Sequence, residues 1–152
     1  MQDDYSFFIN RVREIADLRH AESLMGWDQE TYMPPNGFHM RARAQGSLSG
    51  LIHDRLTETK FVQTIERLQE IELNGDEAVN VSLTARQLKR SIGIPRQLVT
   101  EMSETTSLGH EAWIASRNES DFGIFIPWLE KIIDQKRQLA DLIGYEGSVY
   151  NA

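Results

Sequence analysis

The sequence predicts an all-α fold, with about six helices in antiparallel packing that form one helical domain over residues 1–152. Apolar residues recur at steps of three, four and seven along most of the chain, which is the period of an amphipathic helix. Turn signals rich in Gly, Pro and Asn interrupt this pattern every 15 to 30 residues, roughly the length of ordinary long helices. Short apolar alternations, such as residues 122–126, are better explained as helix starts than as strands.

The first predicted helix carries a long apolar stripe. Asp3 or Asp4 can cap its start, and the helix should run to about Thr31 or Tyr32. Pro34 then ends it, because a residue that precedes proline is driven away from helical backbone angles. The stripe consists of Tyr5, Phe8, Ile9, Val12, Ile15, Leu18, Leu24 and Met25.

Two shorter helices are predicted after the turn at Asn36-Gly37. The second covers residues 38 to about 55, and its small residues at 46–50 would permit close approach of another helix. The third can be capped by Thr57 or Thr59. The second helix should bury Met40, Ala44, Leu48, Leu51 and Ile52, and the third Phe61, Ile65, Leu68 and Ile71.

Three further helices complete the prediction. The fourth covers about residues 77–91, and the fifth runs from Pro95 to about Arg117. Ser120-Asp121 caps a short turn, Pro127 begins the last helix, and Gly144 ends it. The fifth helix offers Leu98, Met102, Leu108, Ala112 and Trp113 for burial, and the last has a stripe of Leu129, Ile132, Ile133, Leu139, Leu142 and Ile143.

Composition excludes several classes of function. The net charge of −7 argues against a general nucleic-acid-binding surface. The chain has no cysteine, which excludes disulfides and thiolate metal sites and fits a cytoplasmic protein. No apolar run is long enough to cross a bilayer, and the N-terminus lacks the pattern of a secretory signal.

The four histidines do not form a recognisable metal site. In the zinc-peptidase motif His-Glu-x-x-His, both rings reach one ion from one helix face. His110-Glu111 begins this pattern, but Ile114 stands at the second histidine position. We expect the histidines to be surface or capping residues, and we predict no catalytic residue and no metal ligand in this segment.

The stretch GWDQETYMPPNG, residues 26–37, combines an indole, carboxylates, an amide and a hydroxyl near a helix end. Acidic groups are unfavourable there because the C-terminal end of a helix carries partial negative charge. In one interpretation Trp27 anchors a corner between helices, Arg41 or Arg43 neutralises Asp28 or Glu30, and Thr31 satisfies a terminal carbonyl. In the other, these groups belong to a functional site.

This stretch also resembles the N-terminal signature of the thermostable carboxypeptidase family typified by carboxypeptidase Taq. The phrase AESLMGWDQETYMP carries the likeness. Similar pieces follow in order at residues 41–45, 80–90, 95–99, 113–122, 127–130 and 144–152, with Asn151 where the family usually has aspartate.

The resemblance implies the N-terminal helical part of a longer zinc metallocarboxypeptidase, commonly dimeric, that removes C-terminal residues from peptides. The family's His-Glu-x-x-His motif and its further glutamate lie beyond the matched region, so the segment alone should be inactive. It would cover the cleft and contact the remainder of the peptidase chain. Family-motif or cleft candidates are Trp27, Asp28, Gln29, Thr31, Met33, Arg117 and Asp121. A non-catalytic helical protein-interaction module is the alternative.

Overall fold

Six α-helices make up the fold of the computed structural model, which describes residues 2–152. They are α1 (Gln2–Thr31), α2 (Phe38–Thr57), α3 (Thr59–Gln69), α4 (Gly75–Ser91), α5 (Arg96–Glu119) and α6 (Ile126–Ile143). Single-turn 3₁₀ helices lie at Pro35–Gly37, Phe122–Ile124 and Val149–Asn151. No strand occurs in the described part of the chain, so the predicted all-α class is confirmed.

The start of α1 differs from the prediction. The helix already includes Gln2, so Asp3 and Asp4 lie within its first turn rather than at a capping position. Their negative charge is favourable there because the N-terminal end of a helix carries partial positive charge. Asp4 instead accepts hydrogen bonds from Arg67 on α3, at 2.7 and 3.2 Å.

The start of α3 also corrects the prediction of a threonine cap. Glu58 is the residue that precedes the helix, and no side chain caps it. The hydroxyl of Thr57 donates instead to the carbonyl of His53, 2.8 Å away in the last turn of α2. The predicted apolar face of α3 is nevertheless confirmed, because Phe61, Ile65 and Leu68 are buried.

One apolar core joins the first four helices. Its centre is the stacked pair of Phe8 on α1 and Phe61 on α3, whose ring centroids lie 5.9 Å apart. Both side chains are completely buried. The cluster contains Phe8, Ile15, Ile52, Leu56, Phe61, Ile65, Leu68, Val81 and Leu88.

Helices α2 and α5 pack against each other through glycines, as the small residues at 46–50 predicted. A Cβ atom on Gly46 would lie 2.6 Å from Cγ of Glu104, and one on Gly50 would lie 2.8 Å from Oγ1 of Thr100. Both distances are too short for a real Cβ atom. The glycines therefore allow a backbone approach that larger residues would prevent.

The predicted burial of Leu98 and Ala112 on α5 is confirmed, but most of the other buried residues of this helix are small and polar. Its buried residues are Leu98, Thr105, Ser107, Gly109, Ala112 and Ser116. Trp113, expected to be available for burial, is 43% exposed. On α6, Ile133 and Leu142 are similarly exposed, while Gln135 and Ala140 are the buried residues. The predicted stripe of α2 is also wrong at Met40, which is largely exposed.

The predicted turns at the ends of α5 and α6 are confirmed. The carboxylate of Asp121 accepts a hydrogen bond of 2.8 Å from the backbone N–H of Gly123. Gly144 ends α6 with a φ of +81°, a conformation that favours glycine. Among the described helices, none is both long enough and apolar enough to traverse a bilayer.

Candidate functional site

Three helices meet at the C-terminal end of α1. Asp28 forms an ion pair with Arg41 of α2, whose guanidinium also donates to the carbonyl of Met25. Gln29 faces α5: its Oε1 accepts from the hydroxyl of Ser107 at 3.0 Å, and its Nε2 donates to the Ser107 carbonyl at 3.4 Å. The cation of Arg41 explains how an acidic residue is tolerated near this helix end.

The tryptophan of the stretch does not anchor this corner. Trp27 is 57% exposed and lies edge-on to Tyr32, with 5.5 Å between ring centroids. Polar contacts from Asp28 and Gln29 hold the corner instead. The expectation for Thr31 is confirmed, because its hydroxyl donates to the carbonyl of Trp27 at 2.8 Å.

A groove of about 500 Å³ runs beside this corner. One wall is the face of α1, and the opposite wall is the face of α5; α2 and α6 each contribute one residue. The lining residues are Glu22, Gly26, Gln29, Glu30, Gln45, Met102, Ser103, Thr106, Ser107, His110 and Lys136. The volume falls within the range of about 300–1,000 Å³ that is usual for small-ligand sites.

His110 connects the groove to the rest of α5. Its Nε2 lies 3.4 Å from Oε1 of Glu30, and its Nδ1 is buried without a hydrogen-bond partner in residues 2–152. The imidazole stacks on Trp113, and the guanidinium of Arg117 lies 5.7 Å from the Trp113 ring centroid.

The candidate residues are divided between several elements. Trp27, Asp28, Gln29 and Thr31 share the last turns of α1, and of these only Gln29 lines the groove. The Met33 side chain packs against the turn at Gly37, where a Cβ atom would lie 2.9 Å from its Cγ. Arg117 and Asp121 lie on α5 and in the turn after it.

Several groove residues were missed from the sequence. Ser49 of α2 donates to Glu22 and is hydrogen-bonded to Ser103 at 3.0 Å, which links α1, α2 and α5. Ser103, Ser107 and His110 recur at steps of four and three, so they share one face of α5. This polar stripe is the signal that could have identified the groove wall.

The histidines follow the expectation only in part. His20 and His39 are exposed, but His53 is buried and His110 lines the groove. Within residues 2–152, no three His, Cys, Asp or Glu side chains are grouped so that they could hold a metal ion.

Residues 7–152 match the family described as carboxypeptidase Taq (M32) metallopeptidase. Thermostable carboxypeptidase 1 of Pyrococcus furiosus is 38% identical over 143 residues, which are 93% of this chain and 29% of that protein. The crystal structure of BsuCP matches with a TM-score of 0.93 and 28% identity, over 97% of this chain and 30% of its own.

The structure of Pyrococcus furiosus carboxypeptidase matches with a TM-score of 0.77 and 36% identity, over 99% of this chain and 30% of its own. The chain thus spans about 30% of the length of these relatives. The match includes the GWDQET corner and both walls of the groove. This chain belongs to the carboxypeptidase Taq (M32) metallopeptidase family.

Proposed function

We propose that this chain is the N-terminal helical part of a metallocarboxypeptidase that removes C-terminal residues from peptides, with zinc or another divalent ion as its metal. The observation that carries the proposal is the family match over residues 7–152 of a chain that spans about 30% of its relatives. Ligands for the ion would come from the parts of the parent protein outside this segment. No chemical step at the metal is assigned to residues of this chain.

The role of the segment is to cover one side of the catalytic cleft. Excluding water and holding a peptide in place accelerate hydrolysis without supplying a metal ligand. The corner residues Trp27, Asp28, Gln29, Thr31 and Met33 are the proposed contact with the cleft or with the remainder of the chain. Exposure of Trp27 beside the groove supports this role, because a large exposed indole is suited to a partner surface.

Arg117 and Asp121 remain in the proposal as secondary candidates. Arg117 lies over Trp113, which stacks on the groove residue His110. Asp121 fixes the turn that follows α5 through its bond to Gly123. Their proposed role is to position the α5 wall, while the peptide substrate contacts the groove.

The parent protein is proposed to be cytoplasmic and homodimeric. The absence of cysteine supports the location, since disulfides are rare in the cytosol. The exposed apolar side chains Leu24, Trp27, Tyr32 and Met40 support association with a second surface. Those side chains also favour the alternative, a non-catalytic helical interaction module.

The test is to read the gene beyond the codon for Ala152 and to assay both the full-length product and the 152-residue chain. We expect an open reading frame that encodes His-Glu-x-x-His. The product of that frame should release C-terminal amino acids from a peptide in a chelator-sensitive reaction, while the 152-residue chain should release none. A frame without this motif, or a full-length product without peptidase activity, would refute the proposal in favour of the interaction module.

A further inference from the structure

A second cavity, of about 270 Å³, lies where α1, α2, α4 and the start of α5 meet. Part of its lining is apolar and consists of Ile52, Leu56, Ile94 and Val99. The volume lies just below the range of about 300–1,000 Å³ that is usual for drug-sized ligands. An occupant that fills this cavity is therefore small and has a hydrocarbon part.

His53 of α2 presents an unused polar group to this cavity. The residue is only 9% exposed, and it lines the cavity. Its ring forms no hydrogen bond or ion pair within residues 2–152. Neither ring nitrogen is fully enclosed by protein. Because buried polar side chains are as a rule hydrogen-bonded, the partner of His53 has to enter the cavity from solution.

Arg19 of α1 lies on the same side of the cavity as His53. Helices α1 and α2 run antiparallel, and Glu22 of α1 accepts a hydrogen bond from Ser49 of α2. Arg19 stands three residues before Glu22, and His53 stands four residues after Ser49. Arg19 and His53 are therefore both one turn further along the same interface, where both line the cavity.

The free polar groups of this cavity favour an anion. Arg19 is exposed and forms no ion pair or hydrogen bond in the part of the chain that the structure describes. Among the described residues that line the cavity, Glu22 is the single carboxylate, and the hydroxyl of Ser49 already donates to it. A carboxylate from solution complements this arrangement, because a guanidinium donates strong charge-assisted hydrogen bonds to carboxylates.

We propose that this cavity binds a short-chain aliphatic carboxylate, with the anion between Arg19 and His53 and the hydrocarbon chain on the apolar lining. The carboxylate accepts hydrogen bonds from the Arg19 guanidinium and from one ring nitrogen of His53. An inorganic anion could accept the same hydrogen bonds, but it has no apolar part to cover the apolar lining. The inference rests on contacts of this chain and does not depend on the proposed function.

The experiment is an NMR titration of the isotope-labelled 152-residue chain with isovalerate, its neutral amide isovaleramide, acetate and inorganic phosphate. We expect saturable binding of isovalerate in the millimolar range and at least about tenfold weaker binding of isovaleramide, which lacks the charge. Acetate and phosphate should also bind at least about tenfold more weakly, because they lack the hydrocarbon that covers the apolar lining. Isovalerate should shift the ring nitrogen resonances of His53 and leave those of the exposed His20 unchanged.

Arginine variants assign the position of the carboxylate. Arg19→Gln should weaken isovalerate binding at least about tenfold and isovaleramide binding less than about twofold. Arg13→Gln is the matched control, because Arg13 is also an exposed arginine of α1 without an ion pair in residues 2–152, and it does not line the cavity. It removes the same charge, so its isovalerate binding should equal that of the unmodified chain.

Four results would each overturn the inference: no saturable binding of isovalerate, equally tight binding of isovaleramide or acetate, equally tight binding of phosphate, or equal effects of Arg19→Gln and Arg13→Gln. Circular dichroism establishes that both variants are folded. If Arg19→Gln is unfolded, the comparison of the four ligands and the His53 resonances of the unmodified chain still decide the inference. A His53 resonance that does not move while isovalerate binds would also contradict it.

Discussion

At the scale of single residues, glycine has two opposite roles in these helices. Gly46 is buried against α5, and the side chain of Glu104 occupies the position next to it. Gly26 lies in α1 with no neighbour near its missing side chain. Replacing glycine by alanine should therefore stabilise the fold at Gly26 and destabilise it at Gly46, although both residues lie inside a helix.

Gly46→Ala should lower the stability of the fold. Overpacking costs about 1–3 kcal/mol, and the better helix propensity of alanine returns up to about 1 kcal/mol, so we expect a net loss of about 1 kcal/mol. Urea denaturation followed by circular dichroism measures it. Adding Glu104→Ala removes the atoms that the new methyl group would meet, so the double variant should recover most of the loss. A loss unchanged by Glu104→Ala would contradict this explanation.

Gly26→Ala should have the opposite effect. Alanine is better than glycine in a helix interior by about 0.8–1 kcal/mol, and no neighbouring atom opposes the new methyl group. A gain of this size should raise the Tm by about 2–4 °C for a chain of this length. Thermal denaturation of the 152-residue chain provides the measurement. A lower Tm would show that the new methyl group collides with neighbouring atoms.

At the scale of elements, the contact of α1 with α3 depends on charge. Arg67 donates two hydrogen bonds to the carboxylate of Asp4, and this contact holds the pKa of Asp4 below its ordinary value. A carboxyl with a lowered pKa in the folded state stabilises the fold above its ordinary pKa, which is about 4 for aspartate. That stabilisation disappears as the pH falls through the lowered pKa.

Asp4→Asn should therefore lower the Tm near neutral pH, and the difference from the unmodified chain should shrink as the pH falls below about 4. Both side chains are partly exposed to solvent, so the difference should also shrink in high salt. Melting curves of the two chains across pH and salt test this. A difference that stays constant from neutral pH to about pH 3 would exclude the ion pair as its cause.

The contact of α5 with α6 depends on a buried polar pair. Nε2 of Gln135 donates to the hydroxyl of Thr105 at 3.2 Å, and both residues are at least nine-tenths buried. Gln135→Leu removes a partner from a buried hydroxyl, which should cost about 1–3 kcal/mol. The matched double variant Thr105→Val/Gln135→Leu should be more stable than Gln135→Leu alone. Additive losses in a double-mutant cycle would argue against a direct coupling.

Helix bounds could be predicted from the sequence much better than helix surfaces. Pro34, Pro95, Pro127 and Gly144 act locally, so the breaks between elements follow from residue type alone. The buried face of α5 depends on how closely its neighbours approach, which the sequence of α5 does not encode by itself. Periodicity therefore placed Trp113 among the residues available for burial, whereas small polar residues fill the interface.

The candidate site likewise combines a contact that could be predicted from local sequence with one that could not. Neutralisation of Asp28 by Arg41 could be anticipated because the turn between α1 and α2 is short and returns the chain to the same corner. The contact between Gln29 and Ser107 joins residues 78 positions apart. Such a contact requires the tertiary arrangement of α1 and α5, so the groove could not be located from local sequence.

At the scale of the whole molecule, the surface carries a pair of exposed aromatic side chains. Trp27 is 57% exposed and Tyr32 is 76% exposed, and their rings are in contact. The relatives are roughly three times as long as this chain, which spans about 30% of them. We therefore expect the aromatic pair to be covered by a protein surface when one is present.

The isolated chain should then self-associate into a dimer or a larger assembly, because burying aromatic surface is favourable when no other partner is available. Light scattering after size-exclusion chromatography at increasing concentration should show a rising mass. The double variant Trp27→Ser/Tyr32→Ser should shift the chain toward the monomer, while Tyr150→Ser should not. Tyr150 is a suitable control because it is 94% exposed and is not in contact with that pair.

Association through apolar surface should persist in high salt, since screening weakens ion pairs rather than hydrophobic contacts. A mass that stays monomeric at the highest concentration would show that the aromatic pair does not mediate self-association.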